Sequence, residues 1–330
     1  MTGCHRRSLL ARACHALHIA VSLVTVCLLA ACSQGDYPDE LRIGTASLGG
    51  AYYPVGQGIA TVFTEHAEGY GMFPVVTAGS LENPRLLQSG DIELGISNID
   101  LAYFAANGLP PYRSAMPVAA LGALYASVLH IVVRADSPIK SIADLRGRKL
   151  AVGAVGGGTQ LLVVKLLAAY GIGENEVTMN YLSFADGFSQ LGDGNLDAAF
   201  ALSAYPASAI MEVKSKRDIR FVGLAADEPG LAGFLQREPY YRVTDLPAKS
   251  YDLPAPVAVL AVDNVLLVRA DAEDDMVYRM TNAIYGHLDE LGRHHAALRN
   301  VDAAHSLDLP VALHPAAGRA HLQLVGTATP

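Results

Sequence analysis

Gly44-Thr45-Ala46-Ser47-Leu48-Gly49-Gly50-Ala51-Tyr52-Tyr53-Pro54 decides how this chain reads. The apolar residues Leu41–Ala46 have strand character, and Gly50–His66 has helical period. A strand entering a helix through a Gly-rich turn is a βα unit. Gly49 and Gly50 let the backbone approach a ligand closely. The first amides of a helix have no acceptor within it, so they can take a carboxylate. Ser47 adds a hydroxyl, and Tyr52 or Tyr53 an apolar wall with a polar tip. The plainer reading is a βα turn with core tyrosines.

Outward from this turn the βα rhythm continues. Strands are expected at Phe73–Ala78, Leu94–Ser97, Val118–Tyr125, His130–Arg134, Lys149–Gly153, Val177–Leu182, Ala198–Leu202 and Ile219–Leu224. Between them lie helices at Leu81–Leu87, Ile99–Asn107, Thr159–Tyr170, Phe184–Leu191 and Tyr205–Val213. This alternation predicts α/β lobes with largely parallel sheets. The stretch Ala226–Lys249 reads as a surface helix and loops. Pro256–Arg269 reads as a long strand and Glu273–Leu291 as one helix.

The chain also echoes itself. Leu87-Gln-Ser-Gly-Asp-Ile-Glu-Leu-Gly-Ile96 and Leu191-Gly-Asp-Gly-Asn-Leu-Asp-Ala-Ala-Phe200 share one pattern: helix end, Gly cap, polar turn, buried strand. Ser80 and Ser183 repeat at nearly the same offset. So do the turn at Ser47–Gly50 and a second Gly-rich turn, Gly153-Ala154-Val155-Gly156-Gly157-Gly158-Thr159. The second turn is no P-loop, because no Lys follows its last Gly. Two lobes of similar topology are expected, with His130–Arg134 and Pro256–Arg269 crossing between them around a hinged cleft. The boundaries read as 41–128 for the first part of lobe 1, 129–255 for lobe 2, and 256–330 for the return strand, completion of lobe 1 and C-terminal helices.

Composition bounds the function. Of 330 residues, 51% are hydrophobic and 17% charged, with net charge −8. A disordered chain is excluded, and a nucleic-acid binder would need a basic field. Residues 1–31 hold Arg6, Arg7 and Arg12, no acid, and an apolar run, Ile19 to Ala31, shorter than the roughly 20 residues that span a bilayer. They read as a secretory signal. Leu29-Ala30-Ala31-Cys32 resembles a bacterial lipobox, in which Cys32 is lipidated and begins the mature chain. Residues 32–40 then serve as a tether. The four cysteines, Cys4, Cys14, Cys27 and Cys32, all lie in or at the end of the leader, so the exported part has no disulfide, no Cys nucleophile and no Cys-ligated metal.

Ligands of open α/β sheets bind beyond the carboxyl ends of the strands. That rule selects Gly79-Ser80-Leu81-Glu82-Asn83 and Asn98-Ile99-Asp100 in lobe 1, and Ser203-Ala204-Tyr205-Pro206 in lobe 2. The candidate ligand residues are Ser47, Gly49, Gly50, Tyr52, Tyr53, Gly79, Ser80, Asn83, Asp100, Gly157, Gly158, Thr159, Ser203 and Tyr205. Arg134, ending the outward crossing strand, is added as a bidentate clamp.

The motif set, from Gly44 through Pro54, Gly79–Asn83, Leu87–Ile96, Leu129-His-Ile-Val-Val-Arg134, Gly153–Thr159 and Leu313-His-Pro, resembles the TAXI family. These are the extracytoplasmic solute-binding subunits of tripartite ATP-independent periplasmic (TRAP) transporters. The resemblance runs from about Leu41 to Pro315. It implies the α/β, type II periplasmic-binding-protein fold: two lobes, a hinge and a ligand cleft between them. It implies a small carboxylate ligand, glutamate-like or dicarboxylate, and TRAP permease subunits as membrane partners. It implies no cofactor and no ATP site. Ser203-Ala204-Tyr205 departs from the Gly/His-type pair that relatives often carry before the Pro.

Other readings have less behind them. A serine hydrolase reading would use Ser47, which lies outside any Gly-x-Ser-x-Gly pattern, and would need a His partner that the sequence does not exclude. His287, Glu290 and His294 share a helix face at metal-ligand spacing, but a solvated face explains them as well. A binding module reporting occupancy to a membrane sensor would carry the same fold and site. The expectation is therefore a lipid-anchored binding protein on the periplasmic side of a bacterial membrane, not an enzyme.

Overall fold

Two long strands organise the molecule: β4 (Val118–Arg134) and β10 (Val257–Arg269), paired antiparallel from Arg269↔Val118 to Ala261↔Val128. They are nearly continuous apolar runs. Every residue of β4 except Ala126 and Arg134 is buried, as befits a strand covered on both faces. The computed structural model describes residues 39–224 and 228–327. The leader and the lipobox cysteine Cys32 lie outside the described residues.

On one side of this pair lie β1 (Asp39–Gly44), β2 (Tyr70–Val75) and β3 (Leu94–Asn98); on the other, β5 (Lys149–Ala151), β6 (Thr178–Asn180) and β7 (Ala198–Ser203). The sheet order is β2-β1-β3-β10-β4-β7-β5-β6. Short β8 (Ile219–Phe221) pairs with β4, and β9 (Tyr241–Leu246) with β10. The wings β1/β3 and β6/β5/β7 are parallel, while β10 and β4 run against their neighbours. The sheet is thus mixed rather than largely parallel. Chain that enters and leaves each half by a crossing strand must reverse direction there.

The first half carries α1 (Tyr52–His66), α2 (Asn83–Ser89) and α3 (Ile99–Asn107). The second carries α4 (Gly158–Ala169), α5 (Phe184–Gly192), α6 (Ser208–Lys216) and α7 (Pro229–Arg237). Helices α8 (Asp274–Tyr285), α9 (Leu288–His294) and α10 (Pro315–Thr327) follow β10; α8 packs against α1. Apolar side chains of α1 and α8, among them Phe63 and Ile284, share a core with Ile43, Ile96 and Leu266 of the sheet. From Glu40 onward the described residues pack as one compact unit.

The repeat in sequence is a repeat in backbone. Gly90 and Gly194 both adopt left-handed φ, +77° and +82°, where a helix end turns into a buried strand. The two serines of the echo differ, however. Ser183 caps α5 by accepting from the Asp186 amide, whereas Ser80 makes no cap and meets the Tyr52 hydroxyl at 3.1 Å.

Five expectations about elements are corrected. The strands Val118–Tyr125 and His130–Arg134 are one, because Ser127 finds a partner in Asn264 and need not leave the sheet. Within Ala226–Lys249 lies the strand β9, whose exposed Arg242 and Asp245 fall on opposite faces and leave no apolar alternation to read. Helix α6 starts at Ser208, past Pro206. Glu273–Leu291 breaks at Gly286 and His287, where the His287 ring bonds the Ala283 carbonyl. β1 also begins at Asp39, within the stretch read as tether.

Candidate functional site

The carboxyl ends of β1, β3, β5 and β7 open on one small cavity of about 30 Å³. Its lining comes from both halves. Ser47, Gly50, Ala51 and Tyr52 come from the first Gly-rich turn, and Gly153, Ala154, Gly157, Gly158 and Thr159 from the second. Ala78, Gly79 and Ser80 lie between, with Asn98 from β3 and Phe184, Leu202 and Ser203 from the second half. The first residues of α1 and α4 therefore face the same space, and their amides lack intrahelical acceptors.

The halves touch tightly here. The Ala51 amide donates to the Ser203 hydroxyl at 2.9 Å, and the Ala209 amide to the Gly49 carbonyl at 3.2 Å. Gly49 has φ +96°, and a Cβ on it would sit 2.7 Å from the Ala185 nitrogen. A Cβ on Gly158 would sit 2.4 Å from the Asn98 side-chain oxygen. Only glycine allows these approaches.

Behind the cavity lies a buried polar knot. Asn98 and Asn264 are paired across β3 and β10. Asn264 accepts from the Tyr52 hydroxyl (2.6 Å) and the Asn98 amide (2.8 Å), and donates to the Tyr125 carbonyl (2.7 Å) and Ser127 hydroxyl (2.9 Å). Burial pushes the Tyr52 phenol well above its ordinary value. It remains a neutral donor, and it is the one ionisable side chain in the lining among the described residues.

Of the residues selected from sequence, Ser47, Gly50, Tyr52, Gly79, Ser80, Gly157, Gly158, Thr159 and Ser203 line the cavity. Six do not. Gly49 is spent on the contact between halves. Tyr53 lies one helical step round from Tyr52 and is half-buried elsewhere. The Asn83 amide donates to the carbonyls of Gly44, Thr45 and Ile96, and its oxygen accepts from Thr77, so it pins strand ends. Asp100 is buried behind β3, where it accepts from the Tyr241 hydroxyl at 2.9 Å; its other oxygen has no partner among the described residues. Burial raises its pKa, partly offset by that hydrogen bond. Arg134 stands at the far end of β4, beside Asp136 and the Leu196 carbonyl. Tyr205 packs on the core of the second half.

Sequence reasoning passed over Phe184 and chose Asp100 where Asn98 serves. The signal for Asn98 was its place as the last residue of a buried strand. For Asn264 it was a polar residue inside the long apolar run of β10. The His287, Glu290, His294 face is broken up by the end of α8. Instead His66 stacks on His287 at 3.5 Å and bonds Glu290 at 2.8 Å, with Glu65 alongside.

Two α/β halves sharing two crossing strands, with a cavity between opposed strand ends, define the type II periplasmic-binding-protein fold. Solved structures agree. The alkanesulfonate-binding protein SsuA from Xanthomonas axonopodis pv. citri, bound to MOPS, is 16% identical over 86% of this chain and 83% of its own, with TM-score 0.50. A protein from Bordetella bronchiseptica RB50 is 17% identical over 88% of this chain and 90% of its own, with TM-score 0.51. At these identities the likeness is one of fold. The chain belongs to the NMT1-like family, whose model matches residues 43–321.

Proposed function

We propose that this chain is an extracytoplasmic solute-binding protein that captures a small carboxylate between its halves for TRAP-type secondary uptake. One observation carries the reading: two Gly-rich strand-to-helix turns, one from each half, meet around a single cavity lined by hydroxyl and amide donors. Such donors hold an anion without a net positive field, inside a space that excludes water. The acidic surface is no obstacle, since its field is screened within about 8 Å at physiological salt. The leader and Cys32 supply export and a lipid anchor, and the closed form presents both halves to membrane permease subunits.

Calorimetric titration of the full chain in detergent, with small carboxylic acids beside their methyl esters, tests this. Acids should bind and raise the melting temperature, since a ligand at a hundred times its Kd adds about 2.7 kcal/mol. Esters that bind as well as the acids would overturn the carboxylate assignment.

A further inference from the structure

Resting on that binding reading, we infer that the ligand is a compact monocarboxylic acid carrying neither an ammonium group nor a second carboxylate. The cavity's chemistry sets this limit. Part of its polar lining is free to donate, while Tyr52, Ser80 and Asn98 spend their protons within the knot and Asn98 turns its oxygen toward Gly158. The Ser47 hydroxyl has no partner among the described residues. Ser203 and Thr159 accept from the amides of Ala51 and Leu202, which leaves their own protons available. The first-turn amides of α1 and α4 add to these. One carboxylate satisfies such a set.

An ammonium group would find no countercharge. Among the described residues, no Asp or Glu lines the cavity. The acids nearest in sequence to the lining are already engaged: Glu82 accepts from the Ala78 amide at 2.6 Å, and Asp186 from the Ser183 hydroxyl at 2.6 Å. Asp100 is fully enclosed behind the strand and held by Tyr241. Burial raises its pKa. A second carboxylate fares no better. Nor does any Lys, Arg or His among the described residues line the cavity. Lys165, further along α4, is paired with Glu238 at 2.9 Å, and Arg134 is at the wrong end of its strand. An unpaired charge taken into a closed site loses its hydration with nothing in return.

Size points the same way. About 30 Å³ is room for two or three water-sized groups, at 10–15 Å³ each. A cavity this small suits a compact molecule, and Ala46, Ala78, Ala154 and Phe184 give it apolar walls. Short 2-hydroxy, 2-oxo and unsubstituted acids meet these limits.

Matched ligands separate the possibilities. The full chain in detergent is titrated calorimetrically with lactate, pyruvate and propionate, then with alanine, glutamate and succinate. Lactate and alanine differ only in hydroxyl against ammonium, and propionate and succinate only by the second carboxylate. At least one of the first three should bind about tenfold or more tighter than any of the second three. Alanine, glutamate or succinate binding within that margin, or tighter, overturns this inference and leaves the carboxylate reading standing. If none of the six binds, both fall.

Discussion

The backbone amide of Ala51 and the hydroxyl of Ser203, 152 residues apart in sequence, meet at 2.9 Å and join the two halves at the cavity wall. Opening the cavity would break this bond. A net hydrogen bond contributes about 1 kcal/mol. Ser203→Ala should therefore weaken binding of the tightest carboxylate about fivefold, with little change in the melting temperature of the free protein. Calorimetry on both forms checks this. A lowered melting temperature with unchanged affinity would mean that the bond serves the fold alone.

Gly158→Val tests closure by bulk. The added Cβ would meet Asn98 and Ser80, both from the opposite half. Affinity should fall by more than about tenfold, and the radius of gyration in solution scattering should rise, because the halves stay apart. Melting should drop by only a few degrees, since neither half's own core is touched. A variant that scatters and binds like the parent removes the closed cavity from the account.

Asn264→Leu attacks the knot. It strands the Tyr52 hydroxyl, the Asn98 amide, the Tyr125 carbonyl and the Ser127 hydroxyl in the interior. Unsatisfied buried groups cost about 1–3 kcal/mol each, though not additively. A loss of about 3 kcal/mol or more is expected from urea unfolding. A loss under about 1 kcal/mol would show that the network is replaceable.

His130 makes stability depend on pH. Its ring lies buried between the Ala201 carbonyl (3.1 Å) and the Tyr251 hydroxyl (3.0 Å). Tyr251 accepts from the Ala207 amide, so its own proton goes to Nε2 of the neutral ring. Burial lowers the His130 pKa from 6.5 to about 4. Between those values the unfolded chain binds the extra proton and the folded one does not. Stability is thus full above pH 6.5 and falls by about 3 kcal/mol as pH drops to 4. His130→Asn should flatten that slope in urea titrations across the window. His295 and His321, also lowered by burial, leave a residual slope of the same sign. An unaltered slope in the variant would remove His130 as its source.

Cys32→Ser should release the exported protein from membranes to the soluble fraction, since several acyl chains anchor stably where none cannot. Membrane partition that survives the substitution would argue for a retained leader.

The sequence made the glycine turns legible and the strand-end polar residues only partly so. Gly50, Gly157 and Gly158 could be chosen because glycine before a helix advertises close approach. Asn98 and Asp100 could not be ranked, because a rise of two residues from strand into helix takes a side chain from the cavity to the interior behind it. Arg134 misled for another reason. Taking His130–Arg134 as a separate crossing put its end near the ligand, whereas in the unbroken β4 that end lies past the second half's wing. The strand β9 was hidden because charges on both its faces, Arg242 and Asp245, erase the alternation that marks a strand.

The shared strands also bear on how the molecule opens. β10 is laddered to both β3 and β4, and its register against β4 slips between Asp263 and Val265 and again between Leu266 and Leu267. No slack loop stands in for a door pin at that crossing. Parting the halves must flex a continuous ribbon where its ladder is already irregular, beside Asn264. Such a ribbon would act as a leaf spring, its resting angle set by hydrogen bonds in the sheet, and a bound solute would work against their stiffness. Substitutions at Asp263 to Leu267 would then retune affinity from a distance, without touching anything the solute touches.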